Sequence, residues 1–233
     1  MEIVGAEPPT ADRIRERHDR LLSRLRETAA ANGHEPDRLR IVAVTKTWPV
    51  EVARAALDAG LTRLGESRIQ EAEPKIAAVP QAEWHFIGRL QSNKVRRALH
   101  GFAAIHSVDS LDLLRRIGEI GAEEGRHPEL LLQVNVSAEA AKAGISPDAA
   151  LAGARLLPGT GLVGLMTIAP MGVSEDEART IFGGLRDLRD RLEQEAGIGL
   201  PELSMGMSAD ADAAAAEGAT MIRIGTALFG PRA

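Results

Sequence analysis

Residues 39–46 read Leu-Arg-Ile-Val-Ala-Val-Thr-Lys, an apolar, β-branched run that ends on a lysine and is broken at once by Thr47-Trp48-Pro49. Such a run reads as a strand buried on both faces. Side chains alternate along a strand, so Lys46 shares a face with Val42 and Val44, while Ile41, Ala43 and Thr45 point the other way. An ammonium at the end of an apolar face has two readings. Either it snorkels into water, or it is a desolvated amine able to attack a carbonyl. Two further stretches near the C-terminus carry chemistry. Ser204-Met205-Gly206-Met207-Ser208 leads straight into a predicted helix, and Gly225-Thr226 follows a second short apolar run. Each joins a glycine, which lets backbone N–H groups approach a ligand, to a hydroxyl donor; Ser208 is also expected at a helix N-terminus, where anions are favoured. Singly, either stretch is equally an ordinary cap or turn. Arg223 lies in Met221-Ile222-Arg223-Ile224-Gly225, and with the isoleucines turned toward helices it faces inward with Gly225. A guanidinium cannot shed its charge, so it pairs with an interior acid or donates to a ligand.

The elements that must position these residues alternate. A helix is expected over 11–31, with Ile14, His18, Leu21, Leu22 and Leu25 on one stripe; residues up to Pro9 read as a disordered lead-in. Strands follow at 39–46, 63–67, 83–88, 103–108, 129–136, 162–168, 202–206 and 221–225. Between them fall helices: one from Pro49 to Gly60, one ending near Val79, one over 92–100, and one capped by Asp109-Ser110 and ending near Gly125. The next opens at Ser146-Pro147-Asp148, another runs from a Ser174/Glu177 capping box to Gly197, and the last spans 209–217. Alternation alone fits an open doubly wound sheet as well as a closed barrel. The count of eight strands, and the lack of a glycine-rich dinucleotide turn after the first, favour a single α/β domain folded as a (β/α)8 TIM-like barrel (39–230) with an extra N-terminal helix. In that fold chemistry sits at the C-terminal ends of strands, and phosphate sites favour the loops after strands seven and eight. Those are the Ser204–Ser208 and Gly225-Thr226 loops.

Composition narrows the classes. The 233 residues are 44% hydrophobic and 26% charged with a net charge of −5, which suits a soluble globular chain and argues against a nucleic-acid surface. There is no cysteine, which excludes disulfides and thiolate metal sites, and the histidines and acids show no metal-ligand spacing. The N-terminus lacks the pattern of a signal peptide, and no apolar run is long enough to span a membrane, so a cytoplasmic protein is expected. Other inward candidates are less decisive. Gln133 and Asn135 share a strand face, Ser67 ends the second strand, Met166 reads as packing, His85 as a core histidine, His18 as a packed or partly exposed one and Lys142 as a solvated loop lysine.

A strand-end lysine, a two-loop phosphate site and an inward arginine at one barrel mouth fit a phosphorylated aldehyde, and pyridoxal 5′-phosphate (PLP) is the obvious one. The motifs Ala43-Val44-Thr45-Lys46, Trp84-His85-Phe86-Ile87-Gly88, Leu90-Gln91-Ser92-Asn93-Lys94, Gly164-Leu165-Met166-Thr167, Leu203-Ser204-Met205-Gly206-Met207-Ser208 and Arg223-Ile224-Gly225-Thr226 resemble the signature of the pyridoxal phosphate homeostasis proteins, single-domain relatives of the alanine racemase barrel. The resemblance runs from about Leu39 to Gly230. It implies that Lys46 carries PLP as an imine, that Ser208, Gly225 and Thr226 hold the phosphate, and that Arg223 meets the pyridine nitrogen. Met207 and Ser67 complete the candidate cofactor contacts. Ser67-Arg68 stands where members usually read Asn-Tyr, so an amide contact expected there falls to the shorter serine.

The resemblance also implies a holder of PLP that maintains vitamin B6 and amino-acid pools, with PLP-requiring apoenzymes as transient partners; a monomer is expected. Two points argue against catalysis. Alanine racemases supply a second proton donor, a tyrosine, from a separate β domain, and this chain has no tyrosine and no room for that domain. Arginine at the ring nitrogen donates without protonating it, leaving PLP a poorer electron sink. The alternatives are a PLP enzyme with weak racemase or aldolase-type activity, and a metabolic barrel that forms a lysine imine with its substrate.

Overall fold

The computed structural model describes residues 9–137 and 143–231. Eight parallel strands close a barrel in sequence order: β1 (Arg40–Val44), β2 (Arg63–Glu66), β3 (Glu83–Phe86), β4 (Ala104–Val108), β5 (Glu129–Gln133), β6 (Leu162–Met166), β7 (Glu202–Ser204) and β8 (Met221–Ile224). The eight-strand (β/α)8 barrel expected from the alternation is the observed fold. Most strands are shorter than their apolar runs suggest, since the last residues of each run lie in the loops at the C-terminal mouth. The lead-in before Pro9 and Lys142 fall outside the described residues.

Helices α1 (Ala11–Ala31), α2 (Val50–Asp58), α3 (Ile69–Ala78), α4 (Val95–Gly101), α5 (Leu111–Glu124), α6 (Pro147–Ala152), α7 (Glu175–Ala196) and α8 (Ala211–Ala216) wrap the barrel, and α9 (Thr226–Phe229) closes it. Helix α9 has no counterpart among the elements expected from the sequence, and of the helix expected over 92–100 residues 92–94 form a 3-10 turn before α4. Caps set the long helices. Ser110 accepts the Leu113 N–H and Gly125 turns left-handed at φ 61° to bound α5, while the Ser174/Glu177 capping box and Gly197 bound α7. Thr10 caps α1, whose buried stripe of Ile14, Leu21, Leu25 and Ala29 packs against α2, α8 and α9, covering the seam where β1 meets β8.

Register decides what faces inward. Val42 pairs with Arg223 and Gly65 with His85, so these four lie on the interior face. Val42, Leu131, Met166 and Met221 form a small interior cluster, separate from the larger apolar layer between strands and helices. Met166 is therefore packing, as its sequence suggests. At the N-terminal mouth Arg40 pairs with Glu202, and Arg63 with Glu83 at 3.4 Å.

Candidate functional site

The C-terminal mouth gathers the ends of β1, β2, β7 and β8. Strand β1 ends at Val44, two residues before the lysine. The ladder continues one step further, where the Thr45 N–H donates to the Gly65 carbonyl at 3.0 Å, and Lys46 begins a turn over 46–48. Lys46 is half-buried in this turn, a correction to the strand position read from the sequence.

The turn is gripped from outside the barrel by residues that sequence reasoning missed. Thr45 Oγ1 donates to Glu66 Oε1 at 2.7 Å. Lys75 Nζ, on α3, donates to Glu66 Oε1 at 2.7 Å, to the Thr45 carbonyl at 2.9 Å and to Glu71 Oε1 at 3.2 Å. Glu71 also accepts the N–H of Thr47, which adopts a left-handed φ of 67° that few non-glycine residues hold. Both neighbours of Lys46 are thus tied to one buried ion-pair cluster. Burial pushes the Glu66 carboxyl up, although the hydrogen bonds from Lys75 and Thr45 and the Lys75 charge pull the other way. The signal was present in the sequence. Ile69, Ala72 and Lys75 are spaced by three on a buried stripe, so the lysine interrupts an apolar helix face.

On the other side, Trp48 meets Phe229 of α9 edge-on at 6.2 Å between ring centroids, and Gly225 lies against Val44 so closely that a Cβ there would sit 3.4 Å from the Val44 carbonyl oxygen. The turn of Lys46 and the Gly225-Thr226 segment are therefore neighbours. Gly225 is half-buried and Thr226, the first residue of α9, is exposed. Ser67, half-buried, follows β2 directly. Its backbone is pressed by Gly88, where a Cβ would meet the Ser67 carbonyl oxygen at 2.1 Å, so the glycine ending the Trp84–Gly88 motif is required by backbone approach.

The loop after β7 departs from expectation. Met207 and Ser208 are exposed, and residues 208–210 form a turn, so α8 starts at Ala211 with Asp210 as its N-cap. Ser208 is therefore not the cap, and the helix does not begin at Ala209. Asp210 accepts the Met207 N–H through its carboxylate. An oxyanion already fits this loop.

Arg223 is inward and buried, as predicted. Its Nη1 donates to Ser204 Oγ at 2.6 Å and its Nη2 to the Thr167 carbonyl at 2.9 Å. These partners are neutral; among the described residues no salt bridge compensates the guanidinium, so the structural ion pair does not account for it. Burial lowers its pKa to about 10, with the Asp210 charge opposing, which leaves it cationic at neutral pH. Gln133 donates to the Ala143 carbonyl at 3.0 Å, and Asn135 accepts from Ser137 Oγ at 3.2 Å, so both order the loop after β5. His85 is buried, as a core histidine, yet it belongs to a polar chain described below. Among the described residues no group of three or more His, Cys, Asp or Glu could hold a metal ion, and no helix is long and apolar enough to cross a membrane.

The model of the alanine racemase N-terminal domain family matches residues 19–233. A pyridoxal phosphate homeostasis protein of Synechocystis sp. is 44% identical over 203 residues, covering 84% of this chain and 93% of that protein. PipY of Synechococcus elongatus PCC7942, solved with PLP bound, is 40% identical with a TM-score of 0.78, over 88% of this chain and 100% of that one. The chain belongs to the pyridoxal phosphate homeostasis protein family. An alanine racemase of Clostridium difficile 630, 17% identical with a TM-score of 0.69 over 89% of this chain and 56% of that one, is alike in fold alone.

Proposed function

We propose that this protein binds PLP covalently through Lys46 and serves as a non-catalytic holder of the cofactor, in the cytoplasm, for vitamin B6 and amino-acid homeostasis. The observation that carries the reading is the convergence at one mouth of the Lys46 turn, the two glycine–hydroxyl loops and a buried Arg223 that makes no salt bridge among the described residues. The donor set fits the cofactor. Lys46 would hold the aldehyde end through its Nζ; Met207, Ser208, Gly225 and Thr226 would supply N–H and hydroxyl donors for the phosphate; Ser67 lies at the neighbouring strand end. Arg223 would donate to the ring nitrogen. The oxyanion-accepting geometry of the Met207 N–H, filled here by Asp210, supports the phosphate assignment. PipY, which shares family and fold, has been solved with PLP bound.

When bound, PLP supplies an electron sink for carbanion chemistry. Arg223 would donate a hydrogen bond to the ring nitrogen without giving up its proton, and the chain has no tyrosine to act as a second proton donor, so its own residues would hold the cofactor more than they use it. In this reading the protein works as a monomer and meets PLP-requiring apoenzymes transiently.

Borohydride reduction with PLP followed by peptide mapping tests the assignment: the label is expected on Lys46 and absent in Lys46→Ala. A label elsewhere, or none, overturns it. Racemisation of a panel of amino acids by the loaded protein would overturn the non-catalytic role.

A further inference from the structure

A continuous hydrogen-bonded chain crosses the barrel from one mouth toward the other. Arg223 Nη1 donates to Ser204 Oγ at 2.6 Å. His106 Nδ1 lies 2.8 Å from the same oxygen, and His106 Nε2 lies 2.8 Å from His85 Nδ1. His85 Nε2 then lies 3.1 Å from Glu83 Oε1. The members come from β8, β7, β4 and β3. His85, His106 and Ser204 are fully buried, and Glu83 is the end that reaches solvent, at the N-terminal mouth.

The two ends dictate the polarity of everything between. A guanidinium only donates and a carboxylate only accepts. Ser204 could accept from both Arg223 and His106, so the carboxylate end fixes the direction: Glu83 takes its proton from His85 Nε2. A neutral His85 then accepts at Nδ1 from His106 Nε2–H, and a neutral His106 accepts at Nδ1 from the Ser204 O–H. Every donor points the same way, and both imidazoles are neutral. The reverse polarity would set an unprotonated His85 nitrogen against a carboxylate, or require a buried imidazolium. The cations around the chain, Arg223 on β8 and Arg40 and Arg63 at the mouth, act against that imidazolium, while the Glu83 carboxylate acts for it and Glu202 is engaged by Arg40. Burial, then His85 and Arg223, hold the His106 ring well below the usual imidazole range.

We propose that Ser204, His106 and His85 are positioning residues for Arg223, locked as neutral Nε2–H tautomers into a one-way chain that fixes the guanidinium's rotation. With Nη1 held by Ser204 and Nη2 by the Thr167 carbonyl, the group cannot swing, and its orientation toward the mouth is set before any ligand arrives. The link to ligand binding rests on the PLP reading above; the tautomer assignment does not.

Two measurements test it. Long-range nitrogen–proton NMR on the ligand-free protein with labelled histidines should show His85 and His106 as neutral Nε2–H rings at pH 7. A charged ring, or an Nδ1–H His106, overturns the chain. Ser204→Ala and His106→Leu each break the hold on a charged group, which should weaken PLP binding about tenfold or more and shift the absorption maximum of the bound chromophore. His106→Gln, whose carboxamide accepts from Ser204 and donates to His85, should bind within about threefold of the parent. Melting curves of all three variants separate misfolding from mispositioning, and Ser204→Ala, the smallest change, stands in should His106→Leu not fold. If the parent protein traps PLP on Lys46 and all variants match it, the positioning role falls. If the parent traps none, the PLP reading falls, and the NMR result alone decides the chain.

Discussion

Replacing Lys75 with methionine tests whether the cluster behind the Lys46 turn is an ion pair that the fold depends on. Lys75 is 4% exposed and Glu66 fully buried. The substitution keeps the side chain's length and removes the donor to Glu66, Glu71 and the Thr45 carbonyl. Glu66 keeps only the Thr45 hydroxyl on Oε1, while its Oε2 already has no hydrogen-bond partner. Breaking a buried pair by removing one member costs about 3–5 kcal/mol. In a chain of this length each kcal/mol moves Tm by about 2–4 °C, so a fall of roughly 6–20 °C is expected. Adding Glu66→Gln removes the stranded charge and keeps an acceptor for Thr45, so the double variant should be more stable than Lys75→Met by more than about 1 kcal/mol. The pH dependence has a definite sign. Burial already raises the Glu66 pKa, and losing Lys75 removes two of the influences that lower it. A raised carboxyl favours folding below its unfolded value and loses that advantage as pH climbs through the folded one. The deficit of Lys75→Met should therefore be smaller at pH 5 than at pH 8 in urea titrations. A loss below about 1 kcal/mol, or a double variant no more stable than the single, would refute the reasoning.

Four other outcomes are expected. Gly88→Ala forces a Cβ against the Ser67 carbonyl oxygen and should cost about 3 kcal/mol by urea melt, whereas Gly118→Ala, with open space around its Cβ in α5, should stabilise by about 0.5–1 kcal/mol. Ser110→Ala removes the α5 cap, costing about 1 kcal/mol in the same assay. His106 has a lowered folded pKa, so its contribution is present above the unfolded imidazole value and lost as pH falls below it. The parent's stability should therefore decline between pH 7 and 5, and His106→Gln should flatten that slope in thermal melts.

The barrel was legible because short strand-like segments alternate eight times with helices and the long helices carry their own caps, as Ser110, Ser174 and Gly197 show. Arg223 was legible from alternation with Ile222 and Ile224. Strand ends were not: Thr45 continues the β-branched run and its N–H still bonds β2, so the pattern continues although the strand stops at Val44. The Ser208 cap was misread because residues 208–210 form a turn, in which the Asp210 carboxylate accepts the Met207 N–H, and α8 starts only at Ala211. Partners distant in sequence were invisible. His106 and Ser204 lie 98 residues apart, and nothing local to either announces the other.

Helix α8 turns Ala211, Ala213, Ala214, Ala215 and Ala216 inward, all buried, and a Cβ on Gly206 would come within 2.4 Å of the Ala214 methyl. This sector has no spare volume. Any drift of these alanines toward larger residues would be transmitted directly into the 205–210 loop, so that loop's shape is guarded by side chains that never touch a ligand. Variation has room elsewhere, for instance at Met171 and Leu156, which stand 97% and 65% exposed. Under laboratory evolution, then, α8 should stay nearly silent while such exposed positions accumulate change.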